Sequence, residues 1–177
     1  DPTRPAGSLD YTQNVASAYA AYTYSTESKY TFKLGARYEY TGIAATINNN
    51  QVVDIPDYGN FVPSINLSKS FNAGKYTAKA GYNRRIQRPG IQQLNPNVNA
   101  ANPQSISVGN PFLEPELTDN IELGLSASIK KLYLNLSMFG RQTNNAISQV
   151  RIPLDTLQGA VLTTFQNIGQ EKATGVN

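Results

Sequence analysis

Residues 30 to 46 change side-chain character at every step for a full strand length. Tyr30, Phe32, Leu34, Ala36, Tyr38 and Tyr40 share one parity; Thr31, Lys33, Gly35, Arg37, Glu39 and Thr41 share the other. Extended chain turns such alternation into two faces, so one side of this strand meets lipid or a core and the other meets water. The pattern recurs. Ile65, Leu67 and Phe71 alternate with Ser64, Asn66, Ser68 and Ser70, and Tyr76, Ala78, Ala80 and Tyr82 follow. Ile121, Leu123, Leu125 and Ala127 come next, and then Leu132, Leu134, Leu136 and Met138 stand against Tyr133, Asn135, Ser137, Phe139 and Arg141. Residues 10 to 26 are rich enough in Ala to permit a short helix, but Thr12, Val15, Tyr19, Tyr22, Thr23 and Tyr24 favour a strand. A further strand is expected at about 160 to 168, and the closing ATGVN reads as the start of another. The fold class is all-β, an antiparallel meander of about seven to eight strands.

The connections carry a second pattern. Short ones are expected at 27 to 29, 72 to 74, 130 to 131 and 169 to 172, and long ones at 47 to 60, 88 to 117 and 143 to 159. Transmembrane barrels alternate short periplasmic turns with long external loops in this way, whereas a soluble sandwich has no reason to. Tyr24, Tyr30, Phe32, Phe71, Tyr76 and Tyr133 fall near the short turns, and Tyr11, Tyr38, Tyr40, Phe61, Tyr82 and Phe139 nearer the long loops. Two interfacial girdles produce such a distribution, although aromatics favour strands anyway.

Composition closes several routes. The 177 residues contain no Cys and no His, which removes disulfide frameworks, thiolate zinc sites and His-based triads. With 15% charged residues, a negative mean hydropathy and no long apolar run, a helical membrane protein is excluded; a barrel is not, because alternate residues alone face lipid. The net charge of +3 is scattered, with Arg84, Arg85 and Arg88 the one basic group, so nucleic acid is not an expected partner. No cofactor or metal is expected. Asp54 and Asp57 beside Asn48, Asn49 and Asn50 do not have EF-hand spacing, and Glu114 and Glu116 flank Pro115 in a loop rather than forming a catalytic pair. An enzyme is not expected. No signal peptide is visible in Asp1 to Asp10, so either a mature N-terminus or an internal cut begins the chain, and with 177 residues few for a large transmembrane barrel an internal piece of a longer chain is expected.

Residues 81 to 122 hold the most specific motifs: YNRRIQRP, then LNP at 94 to 96, GNP at 109 to 111, and LEPEL from Leu113 with Glu122 beyond. Together with LDYTQNVASAYAAY at 9 to 22, LGARYEYTG at 34 to 42 and VPSINLS at 62 to 68, this stretch resembles the C-terminal barrel region of TonB-dependent outer-membrane receptors, in the outer-membrane β-barrel family. The resemblance runs from about residue 9 to the end. It implies that residues 1–177 are part of a transmembrane barrel in the outer membrane of a Gram-negative bacterium. It also implies uptake of a scarce, unidentified ligand, and energy delivered by TonB to a plug; neither plug nor TonB box has a counterpart in these residues.

Candidate positions follow from parity and place. Lys33, Arg37, Glu39, Lys79, Asn83, Arg85, Glu122 and Asn135 share the polar parity and are expected to line the lumen. Arg84, Arg88, Asn95, Asn110, Glu114 and Glu116 are expected in external loops. The arginines suit lipopolysaccharide phosphates, with solvated loop-base charges as the alternative. Outer-membrane lipid is expected on the apolar face. Made alone, the piece is expected to oligomerise through unpaired strand edges. The competing reading is a soluble β-sandwich or adhesin-like binding module, whose apolar faces would have to meet each other.

Overall fold

The structure is a computed structural model that describes residues 7–48, 51–154 and 159–177. Asn49, Asn50 and the first six residues lie outside the described residues. No described helix is long and apolar enough to cross a membrane. Seven long strands form one wall: β1 (Leu9–Ser25), β2 (Tyr30–Ile47), β4 (Tyr58–Phe71), β5 (Tyr76–Gln87), β8 (Glu116–Ile129), β9 (Leu132–Asn144) and β12 (Gln170–Val176). They are hydrogen-bonded in that order and are antiparallel throughout. A short β3 (Gln51–Val53) extends β2. The sheet is open, with one edge of β1 and one of β12 unpaired among the described residues.

Register makes the two faces uniform. Because directly opposed residues share a face, Tyr30, Lys69, Ala78, Leu125 and Leu136 form one row across the wall, and Phe32, Leu67, Ala80, Leu123 and Met138 the next. Nothing covers these rows among the described residues. Leu34, Ile65, Leu125, Leu136 and Met138 are each about half exposed or more. A sandwich would have buried them against a second sheet, so the soluble alternative loses its central requirement. Aromatics band this face as girdles do, with Tyr22, Tyr24, Phe32, Phe71 and Tyr76 towards the short turns and Tyr38, Tyr40, Phe61 and Tyr82 towards the other end. Tyr11, Tyr133 and Phe139 have the opposite parity and are not part of either band.

Three short turns close one end, at 26–29, 72–75 and 130–131. Left-handed residues make these reversals: Lys29, Lys130, Asn72 and Ala73 all have positive φ. Long connections fill the other end. The expected short turn at 169–172 is not one of these. The strand expected at 160–168 is β11 (Val161–Asn167), which pairs with β10 (Ile147–Pro153) outside the wall, so the chain is still at the long-loop end when β12 starts. The residues of β11, VLTTFQN, favour a strand but cannot say which sheet receives it.

The connection from Arg88 to Pro115 is more structured than its Pro and Asn content predicts. It contains α1 (Ile91–Leu94), β6 (Asn99–Asn102) and β7 (Ser105–Ser107), and β7 pairs in parallel with β11 in a second sheet ordered β10-β11-β7-β6. The true core lies here. Leu94 and Leu113, from the LNP and LEP motifs, are almost fully buried against Ala45 and Ile55, with Tyr11, Ile43, Ile147 and Phe165 around them. Ala45, Ile43 and Tyr11 have the polar parity of the wall, so the connection folds over that face and not over the apolar one.

Gly109 of the GNP motif shows why this fold needs its sequence. Its N–H donates to the Asn95 carbonyl at 2.8 Å, and a Cβ at this position would stand 2.5 Å from that oxygen and 2.6 Å from the Gln93 carbonyl. Both obstacles are backbone and cannot swing away. Gly109→Ala is expected to destabilise this connection by about 1–3 kcal/mol. Hydrogen exchange would show faster exchange at residues 91–113 with the wall amides unchanged.

Candidate functional site

The polar face of the wall holds all eight residues expected to share it. Lys33, Lys79, Glu122 and Asn135 border one open concavity of about 560 Å³ that crosses five strands, with Thr31 and Ser137 among its other walls. Asn83 belongs to a separate ladder on the same face. The Asn120 amide donates to Asn83 Oδ1 at 3.0 Å, and Arg141 Nε donates to Asn120 Oδ1 at 3.0 Å. Asn120 and Arg141 were not singled out from the sequence, although they share that parity and only the cross-strand register brings them together.

Nearer the long connections, Glu39 is the centre of charge. Its side chain is 8% exposed, and Arg37 Nε meets Oε1 at 2.6 Å from the same strand. Arg88, arriving from the end of β5, bonds the other carboxylate oxygen with its Nη2 and donates from Nε to Thr41 Oγ1 at 3.1 Å. Thr41 is fully buried. Arg88 thus ties the start of the folded connection to the middle of β2, through a carboxylate held by two guanidiniums. Beside it, Tyr58 Oη and Asn60 Nδ2 are buried without a hydrogen-bond partner within the described residues. Arg85 makes no ion pair or side-chain hydrogen bond among the described residues.

The loop candidates divide. Arg88, Asn95, Asn110 and Glu114 lie between β5 and β8, but Arg84 is inside β5 and Glu116 opens β8. Arg84 was expected in the loop because Pro89 breaks the pattern nearby; the ladder to β8 continues through Gln87. Its parity is the apolar one. There it is held by Asp119, Nε to Oδ1 at 2.8 Å and Nη2 to Oδ2 at 3.0 Å, while the Tyr82 hydroxyl donates to Oδ1 at 2.6 Å. A guanidinium already paired in this bidentate way is a weaker candidate for a lipopolysaccharide phosphate than a free one.

The remaining loop candidates build the connections. Asn95 Oδ1 accepts from the Asn97 N–H, and Asn110 accepts from the Phe112 N–H while its amide donates to the Phe165 carbonyl at 3.0 Å. Glu114 accepts from the Asn145 amide at 2.8 Å, and Glu116 accepts from the Ile147 N–H at 2.6 Å. Asn167 closes the junction, bonding both the N–H and the carbonyl of Glu114. Two long connections are therefore stitched into one cap, and no single-sequence signal pairs residues so far apart.

The chain matches the outer membrane protein beta-barrel family over residues 2–177 and belongs to it. It is accordingly a protein of the outer membrane. No curated protein matches the sequence. Among solved structures it is similar to the Serratia marcescens hemophore receptor HasR in complex with its hemophore and heme, at 16% identity and a TM-score of 0.75, covering 93% of this chain and 31% of that one. The siderophore receptor PirA from Pseudomonas aeruginosa has a TM-score of 0.59 at 19% identity, covering 96% of this chain and 39% of that one. The copper transporter OprC has a TM-score of 0.69 at 15% identity, covering 94% of this chain and 25% of that one. The chain spans well under half the length of these proteins. At such identities the likeness establishes the fold, which is that of their barrel walls.

Two outcomes are expected. Glu39→Ala leaves Arg88 without its carboxylate and should cost about 3 kcal/mol, as removal of one partner from a largely buried pair does; limited proteolysis should then cut between residues 88 and 115 sooner. The second concerns Asp57, between β3 and β4. The Tyr40 hydroxyl donates to its carboxylate at 2.8 Å and the Ile43 N–H at 3.0 Å, and these bonds hold the carboxyl below its usual range. A carboxylate whose folded pKa is depressed stabilises the fold above its unfolded pKa, about 4, and that contribution is lost as pH falls through the folded value. Exchange at the Ile43 amide should therefore rise as pH drops below about 4, once corrected for intrinsic rates, and Asp57→Ala should remove this dependence.

Proposed function

We propose that this chain is part of the barrel wall of a TonB-dependent receptor that takes up a scarce ligand across the outer membrane. The observation that carries the reading is the uncovered apolar face backed by a polar face bearing Lys33, Lys79, Glu122 and Asn135. The apolar face meets lipid. The polar face lines the interior beside a plug to which TonB delivers energy, and the capped end faces outside. Family membership supports the placement, and the hemophore, siderophore and copper proteins of like fold support uptake as the activity. The ligand contacts would come from the cap and from the polar face below it.

The open edges of β1 and β12 belong, on this reading, to a barrel closed by further strands. Residues 1–177 made alone would instead associate through those edges.

Cell fractionation and uptake test the proposal together. The protein should stay with outer membranes through an alkaline wash and leave only with detergent, and deleting it should abolish energy-dependent uptake of one member of a panel of ferric chelates, heme, copper and cobalamin. Release into the aqueous fraction would refute the placement and return the chain to the soluble binding modules.

A further inference from the structure

Lys69 is out of place on the wall. In the half next to the short turns it is the one charged described residue on the apolar parity, where it stands opposite Tyr30 of β2 and Ala78 of β5. An ammonium on a lipid-facing surface needs a partner, and Lys69 takes part in none of the ion pairs among the described residues. It is held instead by aromatics. Its Nζ lies 4.1 Å from the centroid of the Tyr30 ring and 5.0 Å from that of Phe71, and it donates to the Tyr30 hydroxyl. Tyr30 engages one of its three donors, and the charge is not cancelled.

Beside this cation the wall has a trough. Ala78 and Ala80 are the small members of their rows, and between Leu67 on one side and Leu123 and Leu125 on the other they form the floor of an apolar groove of about 420 Å³. Lys69 borders it. Lys75, Lys130 and Lys131 lie in the turns just beyond, so the rim next to the groove is basic.

We propose that this surface is a binding site for an anionic phospholipid of the leaflet that meets the short turns, its phosphate on Lys69 and the Tyr30 hydroxyl and one acyl chain lying over Ala78 and Ala80. The charge decides the occupant. A second copy of this chain would bring another Lys69 or an uncharged apolar ridge, neither of which completes the ammonium, whereas a phosphodiester with a neighbouring chain satisfies both the cation and the groove. This inference is independent of which ligand the receptor transports; it requires only that the apolar face meets lipid.

The test uses the protein extracted from membranes in detergent, with lipid retention read by native mass spectrometry after adding phosphatidylglycerol or phosphatidylcholine of identical chains. Phosphatidylglycerol should be retained in preference. Lys69→Gln should lower that retention about five-fold, the effect of one basic residue at a lipid surface. Ala80→Leu should lower it with the charge intact, by filling the groove, while Lys33→Gln on the opposite face, which does not border the groove, should leave it unchanged. Glycerol 3-phosphate, which has the phosphate without chains, should not compete. Equal retention of the two lipids, an equal loss in Lys33→Gln, retention unaltered in both Lys69→Gln and Ala80→Leu, or displacement by glycerol 3-phosphate would each overturn the proposal.

Discussion

The antiparallel ladder is the constraint from which everything else follows. In a hydrocarbon layer each backbone donor and acceptor must be paired within the protein, and strands achieve this only through their neighbours. Once β1, β2, β4, β5, β8, β9 and β12 are locked in register, the side chains have no further choice of side. Tyr30, Phe32 and Leu34 face the same way as Leu67, Ala80 and Leu123, and Lys33 is committed to the same side as Lys79 and Asn135. A slip of one residue in any pairing would move a whole strand's charges onto the apolar face.

The ladder supplies little conventional core. What core there is lies at the end with long connections, where Leu94 and Leu113 descend onto Ala45 and Ile55. That arrangement solves a second problem. A long connection over a polar face carries many backbone groups, and here several are satisfied by the side chains of Asn95, Asn110, Glu116 and Asn167, with Arg88 anchoring the near end to Glu39. Asn95, Asn110, Glu114 and Glu116, expected from the sequence in external loops, are among the residues that give the cap its shape.

How far the sequence was legible depended on the range of the interaction. Period-two alternation at 30–46 and 118–141 showed the strands and their faces, because parity is a property of neighbours in the chain. Turns at Lys29, Gly74 and Lys130 were legible for the same reason. The 160–168 strand was recognised as a strand but assigned to the wall, since its partners, β10 and β7, are chosen by packing at the capped end. Arg84 stands among Arg85, Arg88 and Pro89, which suggests a loop, while Asp119, its partner across the ladder, is 35 residues away. The bond between Arg141 and Asn120 on the polar face is hidden for a related reason: alternation gives Arg141 its side, but register alone sets the two residues opposite each other.

The claim that matters most is that the two faces of one strand live in different solvents. The chain has no Cys, so single cysteines can be introduced and spin-labelled one at a time along β2. Collision rates with oxygen, which concentrates in lipid, and with a water-soluble nickel chelate would then be measured in reconstituted protein at positions 31 to 38, short of the buried Glu39. The account predicts opposite oscillations with a period of two, oxygen highest at positions 32, 34, 36 and 38 and the chelate highest at 31, 33, 35 and 37. Rates that do not alternate, or that rise and fall together for both reagents, would contradict it.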